Sequence, residues 1–362
     1  MNSKLTRKFI LSVSSLALTA ICLSSTTYAW FAKNANAWTE DYEIKLHTDE
    51  GLKISVDGIH WYDSISRDQL SNAIALYRYN TINSNAKITY EELTPTIVAN
   101  YSTTSLAPVS PDDDFDFYGF DPNKEYIPSN GLYELDNLTE AKVLGNYVCF
   151  DLYFQAIPSS NDAKSKYNLV FANEALDEGF GVSKIEAENS TITLANQLNI
   201  PESKDIRFNP ETKGLYKSRE TITINPANAM RMAVTGTKDP IIYEINNDGY
   251  GSYALKDIPD GAIDDSIKDL YDASKNPMYT YFNNTHNQGN LAIPSYDEKY
   301  LKTEKNFDGL KNLGEFVRDS EGNYNDVKIT VYIWLEGYDA DYLEGVNTES
   351  VHFFLNFTKV EG

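Results

Sequence analysis

The chain has 362 residues, 41% of them hydrophobic, with 53 acidic against 31 basic side chains and a formal net charge of −22 at pH 7. That length allows one large domain or two smaller ones. So acidic a chain lacks the clustered Lys and Arg that displace counterions from phosphates, so nucleic acid is not an expected partner.

The charge is also uneven. Residues 1–37 carry Lys4, Arg7, Lys8 and Lys33 and no acid. The basic start "MNSKLTRK" leads into an apolar run, residues 9–23, of about 15 residues, short of the roughly 20 that a spanning helix needs. Residues 1–37 therefore read as a signal peptide, removed by signal peptidase after Ala29, Ala32 or Ala37, each a small residue suited to cleavage. The alternative is an uncleaved segment that anchors the chain in the membrane. Ile21 before Cys22 argues against lipid attachment there, and cleavage would leave Cys149 as a lone thiol with no internal disulfide. An extracellular or cell-surface protein that does without disulfides points to a Gram-positive bacterium.

Residues 26–34, "TTYAWFAKN", resemble the end of the export signal in the TasA/camelysin group of Firmicute surface proteins. Ala32 and Lys33 depart from that group, which usually has a small polar and an acidic residue there. The resemblance implies the export route and says little about the fold.

Period-two alternation dominates the rest. Strands are predicted over residues 42–47 and 52–57, with "LKISVDGIHWYDSI" as a hairpin whose Asp57-Gly58 pair supplies the positive φ angles of a tight turn. A helix follows over 66–76, then a strand over 94–99. "YVCFDLYFQAI" puts Val148, Phe150, Leu152, Phe154 and Ala156 on one face and Cys149, as an inert structural thiol, on the other. Shorter strands are expected over 167–171, 191–195, 221–224, 229–234 and 241–245, and helices over 263–273 and 307–316. Two long strands close the chain, 327–336 and "SVHFFLNFTK". The expected fold is all-β, a sandwich or jelly roll with long loop insertions and a few short helices, spanning residues 38–362 with an accessory lobe within 246–320.

A second resemblance lies toward the C-terminus. Asn228, Ala229 and Arg231, then Ile333, Trp334, Leu335, Glu336, Gly337 and Asp339, look similar to uncharacterised Firmicute surface proteins that pair a "YAWF" start with an "IWLEG-x-D" strand. Many of those have a Cys shortly after the Asp, where this chain has Tyr342. No chemistry follows from that set.

Motifs for zinc hydrolysis, the Ser nucleophile elbow, phosphate loops and Cys-x-x-Cys are missing, and His47, His60, His286 and His352 lack ligand spacing. Two acidic stretches remain. Asp112, Asp114 and Asp116 in "PDDDFDFYGFD" and Glu336, Asp339 and Asp341 in "EGYDADYLE" are candidate calcium ligands, since hard cations take several carboxylate oxygens. Neither follows the EF-hand, because Phe117 and Asn123 stand where Gly and Glu are required. No other cofactor is expected. The tyrosine excess, 26 residues, fits sheet faces and subunit contacts, while Trp61, Tyr62 and Tyr118 are candidates for stacking on sugar rings.

The expected function is non-enzymatic: an exported surface or extracellular-matrix protein, a biofilm fibre subunit that self-associates by strand addition. Residues 38–47 would be the donor strand, or would pair within their own sheet. The alternatives are an adhesin that contacts cell wall or glycan and, last, a secreted hydrolase with paired carboxylates. The ending "FLNFTKVEG" carries no LPxTG-type sorting signal, so covalent wall attachment is not expected.

Overall fold

The structure is a computed structural model that describes residues 42–49, 51–102, 106–111, 115–119, 139–140, 146–158, 164–173, 181–193, 208–209, 214–215, 221–236, 240–244, 303–305, 307, 310–337 and 351–362. The chain divides into two compact units, Met1–Ala37 and Trp38–Gly362, of which the first lies outside the described residues.

In chain order the strands are β1 Tyr42–Thr48, β2 Leu52–Ser55, β3 Ser64–Ile65, β4 Pro108–Pro111, β5 Phe117–Gly119, β6 Thr139–Glu140, β7 Val148–Ala156, β8 Lys166–Phe171, β9 Lys184–Ala187 and β10 Ser190–Thr193. They continue as β11 Phe208–Asn209, β12 Gly214–Leu215, β13 Thr221–Ile224, β14 Met230–Thr235, β15 Ile241–Glu244, β16 Thr303–Lys305, β17 Gly314–Val317, β18 Val327–Glu336 and β19 Val351–Glu361. Among the described residues two α-helices, α1 Arg67–Ile82 and α2 Pro95–Tyr101, stand between β3 and β4.

One sheet runs β17-β8-β19-β1-β3, with β9 also paired to β19. The other runs β16-β15-β14-β18; the far edge of β18 takes β7, and then β2, along most of its length, and β4-β5-β6 at its end. The short pairs β10-β13 and β11-β12 stand apart. The fold is all-β and sandwich-like, open rather than closed into a barrel.

Alternation explains the packing. Phe353, Leu355 and Phe357 of β19 turn inward, as do Phe150, Leu152 and Phe154 of β7 and Ile329, Val331 and Ile333 of β18; all nine are fully buried. Phe357 joins the sheets, with ring centroids 4.6 Å from Phe154 across the sandwich and 4.8 Å from Phe171 beside it. Phe171 in turn meets Tyr243 at 5.3 Å and Phe307 at 4.8 Å.

The larger sheet is covered on its outer face too. Helix α1 lies along β7 and buries Leu70, Ala73, Ile74 and Ala75. Beside it Phe115 and Phe117 pack on Trp334, with Phe117 stacked on Tyr147 at 4.0 Å. The face that carries Cys149 is therefore a second core. The thiol is fully buried among Tyr77 and Tyr332, and burial pushes it well above its ordinary range, so it stays protonated. Arg78, also fully buried, donates to the carbonyls of Tyr101 and Tyr147 and ties α1 to its neighbours.

Several local expectations change. Residues 95–101 are helix, not strand: the Thr94 side chain accepts the Ile97 amide and Pro95 occupies the first turn. The β-branched Thr96, Ile97 and Val98 favour a strand, and the cap overrides them. Residues 314–317 form β17, paired with β8, where a helix was expected over 307–316. Asn312 accepts the Gly314 amide and turns the chain into the strand. Helix α1 runs six residues past the expected end, to the Asn83 cap, because its last turn packs on α2 with the Tyr79 and Tyr101 rings edge to face at 5.3 Å. The predicted helix over 263–273 lies outside the described residues.

The predicted hairpin is present only as a bridge between Ile54 and Tyr62. Its arms part beyond that bridge: β2 joins β7 in the larger sheet and β3 joins β1 in the smaller. Only Gly58 of the Asp57-Gly58 pair has positive φ, at 74°. Trp334 and Glu336 are buried on the nominally polar face of β18, where the aromatic cluster covers them.

Candidate functional site

Two features of the Trp38–Gly362 unit bear on function: the position of β1 and a groove beside α1.

Strand β1 pairs in parallel with β19 over seven residues, Tyr42 with Val351 through Thr48 with Phe357. Leu46 and Thr48 point into the sandwich and are buried, while Lys45 and His47 point outward. On its other side, among the described residues, only Leu46 and His47 have a strand partner, in β3. The pairing ends at a pinned corner. The Asp49 amide donates to the Phe357 carbonyl, the Thr358 hydroxyl to the Asp49 carboxylate, and the Thr48 amide to the Asp63 carbonyl. The chain then reverses at Gly51, whose φ is 79°.

The groove, a cavity of about 600 Å³, lies between the turn after β2, the flank of α1 and a single 3₁₀ turn, Tyr90–Glu92. The turn after β2 is organised by Asp57, whose carboxylate accepts from the Ser55 hydroxyl at 2.8 Å, from the Ile59 and His60 amides at 2.8 Å, and from the His60 ring at 2.7 Å. Gly58 suits the position because its φ is 74°, and a Cβ there would also come within 3.3 Å of the Tyr153 ring. The opposite wall is clipped to α1 by Asn80, which donates to the Ile88 carbonyl and accepts its amide, and by Asn72, which donates to the Tyr90 hydroxyl at 3.2 Å. Asp151 and Tyr153 of β7 also line the cavity. Asp151 accepts from Thr330 at 2.7 Å and pairs with Lys328 at 2.8 Å.

Burial works against ionisation of Asp57, but its hydrogen bonds from His60, Ile59 and Ser55 prevail and bring its pKa down to about 2. The carboxylate is thus an acceptor, not a proton donor, near neutral pH. The hydrogen bond to Asp57 raises His60 above its ordinary 6.5. With a raised pKa, the His60 contribution to the turn is complete below pH 6.5 and is lost as pH climbs through the folded value. The depressed Asp57 contributes above its unfolded value of 3.8 and loses that contribution as pH falls toward 2. Histidine NMR titration should place the His60 midpoint above 6.5 in the native chain and return it toward 6.5 in Asp57→Asn; an unchanged midpoint in the variant would refute this account of the turn.

Of the residues singled out in sequence, Asp116 is exposed and Glu336 is buried, its carboxylate accepting the Trp334 indole N–H at 3.0 Å. Asp112, Asp114, Asp339 and Asp341, the cleavage candidates Ala29, Ala32 and Ala37, and most of the 246–320 lobe lie outside the described residues. Among the described residues, no three of His, Cys, Asp and Glu are gathered as a metal site. Tyr62 is exposed, and Trp61 is half-buried next to it in the chain. Arg231 forms an ion pair at 2.6 Å with Glu244 inside the fold. Sequence reasoning did not find the groove, whose lining comes from four separate segments; its one local signal was "SVDGIH", an Asx-turn pattern.

No protein-family model matches the chain, nor does any curated protein or solved structure. Among the described residues, no helix is long and apolar enough to cross a membrane.

Proposed function

We propose that the chain is a non-enzymatic, exported surface or matrix protein whose copies assemble by strand addition. One observation carries this reading: the first described strand, β1, lies in parallel along β19, and on its other side, among the described residues, it has a strand partner only at Leu46 and His47.

A strand so placed is exchangeable. If β1 leaves, β19 presents a row of main-chain donors and acceptors beside a slot shaped for Leu46 and Thr48. The β1 of a second copy would restore the same seven-residue register and the same buried side chains, so the exchange sacrifices no contact within the sheet. The corner at Asp49 and Gly51 is where the chain would reopen. The export-signal pattern of residues 1–37 supports this reading: cleavage after Ala37 would leave a new N-terminus, Trp38, four residues before Tyr42. So does the resemblance of "TTYAWFAKN" to the TasA/camelysin group.

The test is the assembly state of the purified Trp38–Gly362 unit. Oligomers or filaments that grow with concentration are expected by sedimentation and electron microscopy, and removal of residues 38–48 should abolish them. A monomer at every concentration would overturn the proposal.

A further inference from the structure

We infer that the groove beside α1 is a binding site for a neutral carbohydrate. Its volume, about 600 Å³, falls within the roughly 300–1,000 Å³ of small-ligand sites. The chemistry of its walls selects among ligand classes.

Three tyrosine rings line it: Tyr77, Tyr90 and Tyr153. Each is fixed from outside the cavity. The Tyr77 side chain is turned inward beside Cys149 and Tyr332, the Tyr90 hydroxyl accepts from Asn72, and the Tyr153 ring lies against Gly58 with the Lys328 ammonium 5.6 Å from its centroid. Rings already held in place lose little rotamer freedom when a ligand stacks on them. The apolar C–H faces of a pyranose are flat and match such rings.

The polar groups point the same way. The lining carries Asp57, Glu91 and Asp151 with Lys87, yet Asp57 is held by His60 and Asp151 by Lys328. With Lys87 against three carboxylates, the lining has no excess of cations to draw an anionic ligand. Asp151 and Glu91 keep lone pairs that accept hydroxyl hydrogens, and the Thr81 and Thr89 hydroxyls, which donate to the Tyr77 carbonyl and to Glu92, keep lone pairs as acceptors. Carboxylates, hydroxyls and fixed aromatic rings suit an uncharged polyhydroxylated ligand better than a phosphate or a peptide carboxylate. This site does not depend on strand addition: a chain unable to assemble would still bind, and an assembling chain with a blocked groove would not.

The test uses the purified full chain on a printed array of neutral and anionic oligosaccharides, followed by calorimetric titration of the strongest array ligand at 50 and 500 mM NaCl. Binding to neutral glycans is expected, with an affinity that changes less than twofold between the two salts. Tyr90→Ala should weaken it at least tenfold and Tyr90→Phe should retain it. Thr81→Trp, at an exposed position of the α1 wall, should fill the cavity and abolish binding while leaving the unfolding midpoint unchanged, which covers the case in which Tyr90→Ala fails to fold. No binding to neutral glycans, binding confined to anionic glycans and lost in high salt, or binding indifferent to Thr81→Trp would each overturn the inference.

Discussion

Glu244→Ala is expected to destabilise the Trp38–Gly362 unit by about 3–5 kcal/mol, because it strands a buried guanidinium. Arg231 and Glu244 lie on neighbouring strands, where the register that pairs Met232 with Tyr243 continues to set them opposite each other. Their side chains are 2% and 1% exposed and meet at 2.6 Å. The second guanidinium nitrogen donates to the Asn228 and Met230 carbonyls, so the arginine also fastens the 3₁₀ turn Pro226–Ala229 to β14. Removal of the carboxylate leaves the charge without this counter-ion, in a site where the arginine side chain is 2% exposed. Chemical denaturation should show the loss as a lower midpoint with an unchanged slope. The joint replacement Arg231→Met with Glu244→Leu should recover most of it, since a buried pair exchanged for apolar side chains of similar volume is often neutral or better. If Glu244→Ala costs under about 1 kcal/mol, the pair is not the desolvated contact described here.

Phe357→Ala should cost a similar amount, about 3–5 kcal/mol, by a different route. Phe357 is fully buried, contacts Phe154 in the facing sheet and Phe171 in its own, and is the last residue that β19 pairs with β1. Its truncation opens a cavity where the two sheets meet, and rings held by several neighbours cannot collapse into it. Phe354→Ala, three residues earlier on the outward face, removes a ring flanked by Lys45 and Lys184 at 5.0 Å each and should cost under about 1 kcal/mol. Equal losses in thermal unfolding would contradict the assignment of inner and outer faces.

The long strands β7, β18 and β19 were legible in the sequence because each repeats period two over nine residues or more, and that pattern fixes which side chains turn inward. Their partners were not legible. Alternation in "LKISVDGIHWYDSI" reads as a hairpin, yet its two arms serve different sheets, a choice made by the hydrophobic faces of β7 and β1 elsewhere in the chain. The burial of Cys149 and Arg78 was hidden for the same reason, because only tertiary packing brings α1 over β7. Residues 94–101 failed differently: Thr94 and Pro95 are a helix-start signal that was present in the sequence and was outweighed by Ile97 and Val98. The acidic clusters drew attention by composition, whereas the groove draws its aromatic and carboxylate groups from residues up to about a hundred positions apart.

Strand addition makes one geometric demand: β1 of one copy must lie along β19 of another. Lys45 and Phe354 are register partners on the outward face, so a cysteine at either position faces the other across the parallel pair. Lys45→Cys and Phe354→Cys can be prepared as two separate chains, each with Cys149→Ser, then mixed under assembly conditions and oxidised. The predicted result is a disulfide-linked heterodimer joined through those two positions, seen by non-reducing electrophoresis and peptide mass spectrometry. Cross-linking only when both cysteines occupy the same chain, and none between the mixed chains, would show that β1 stays in its own sheet and would contradict assembly by strand addition.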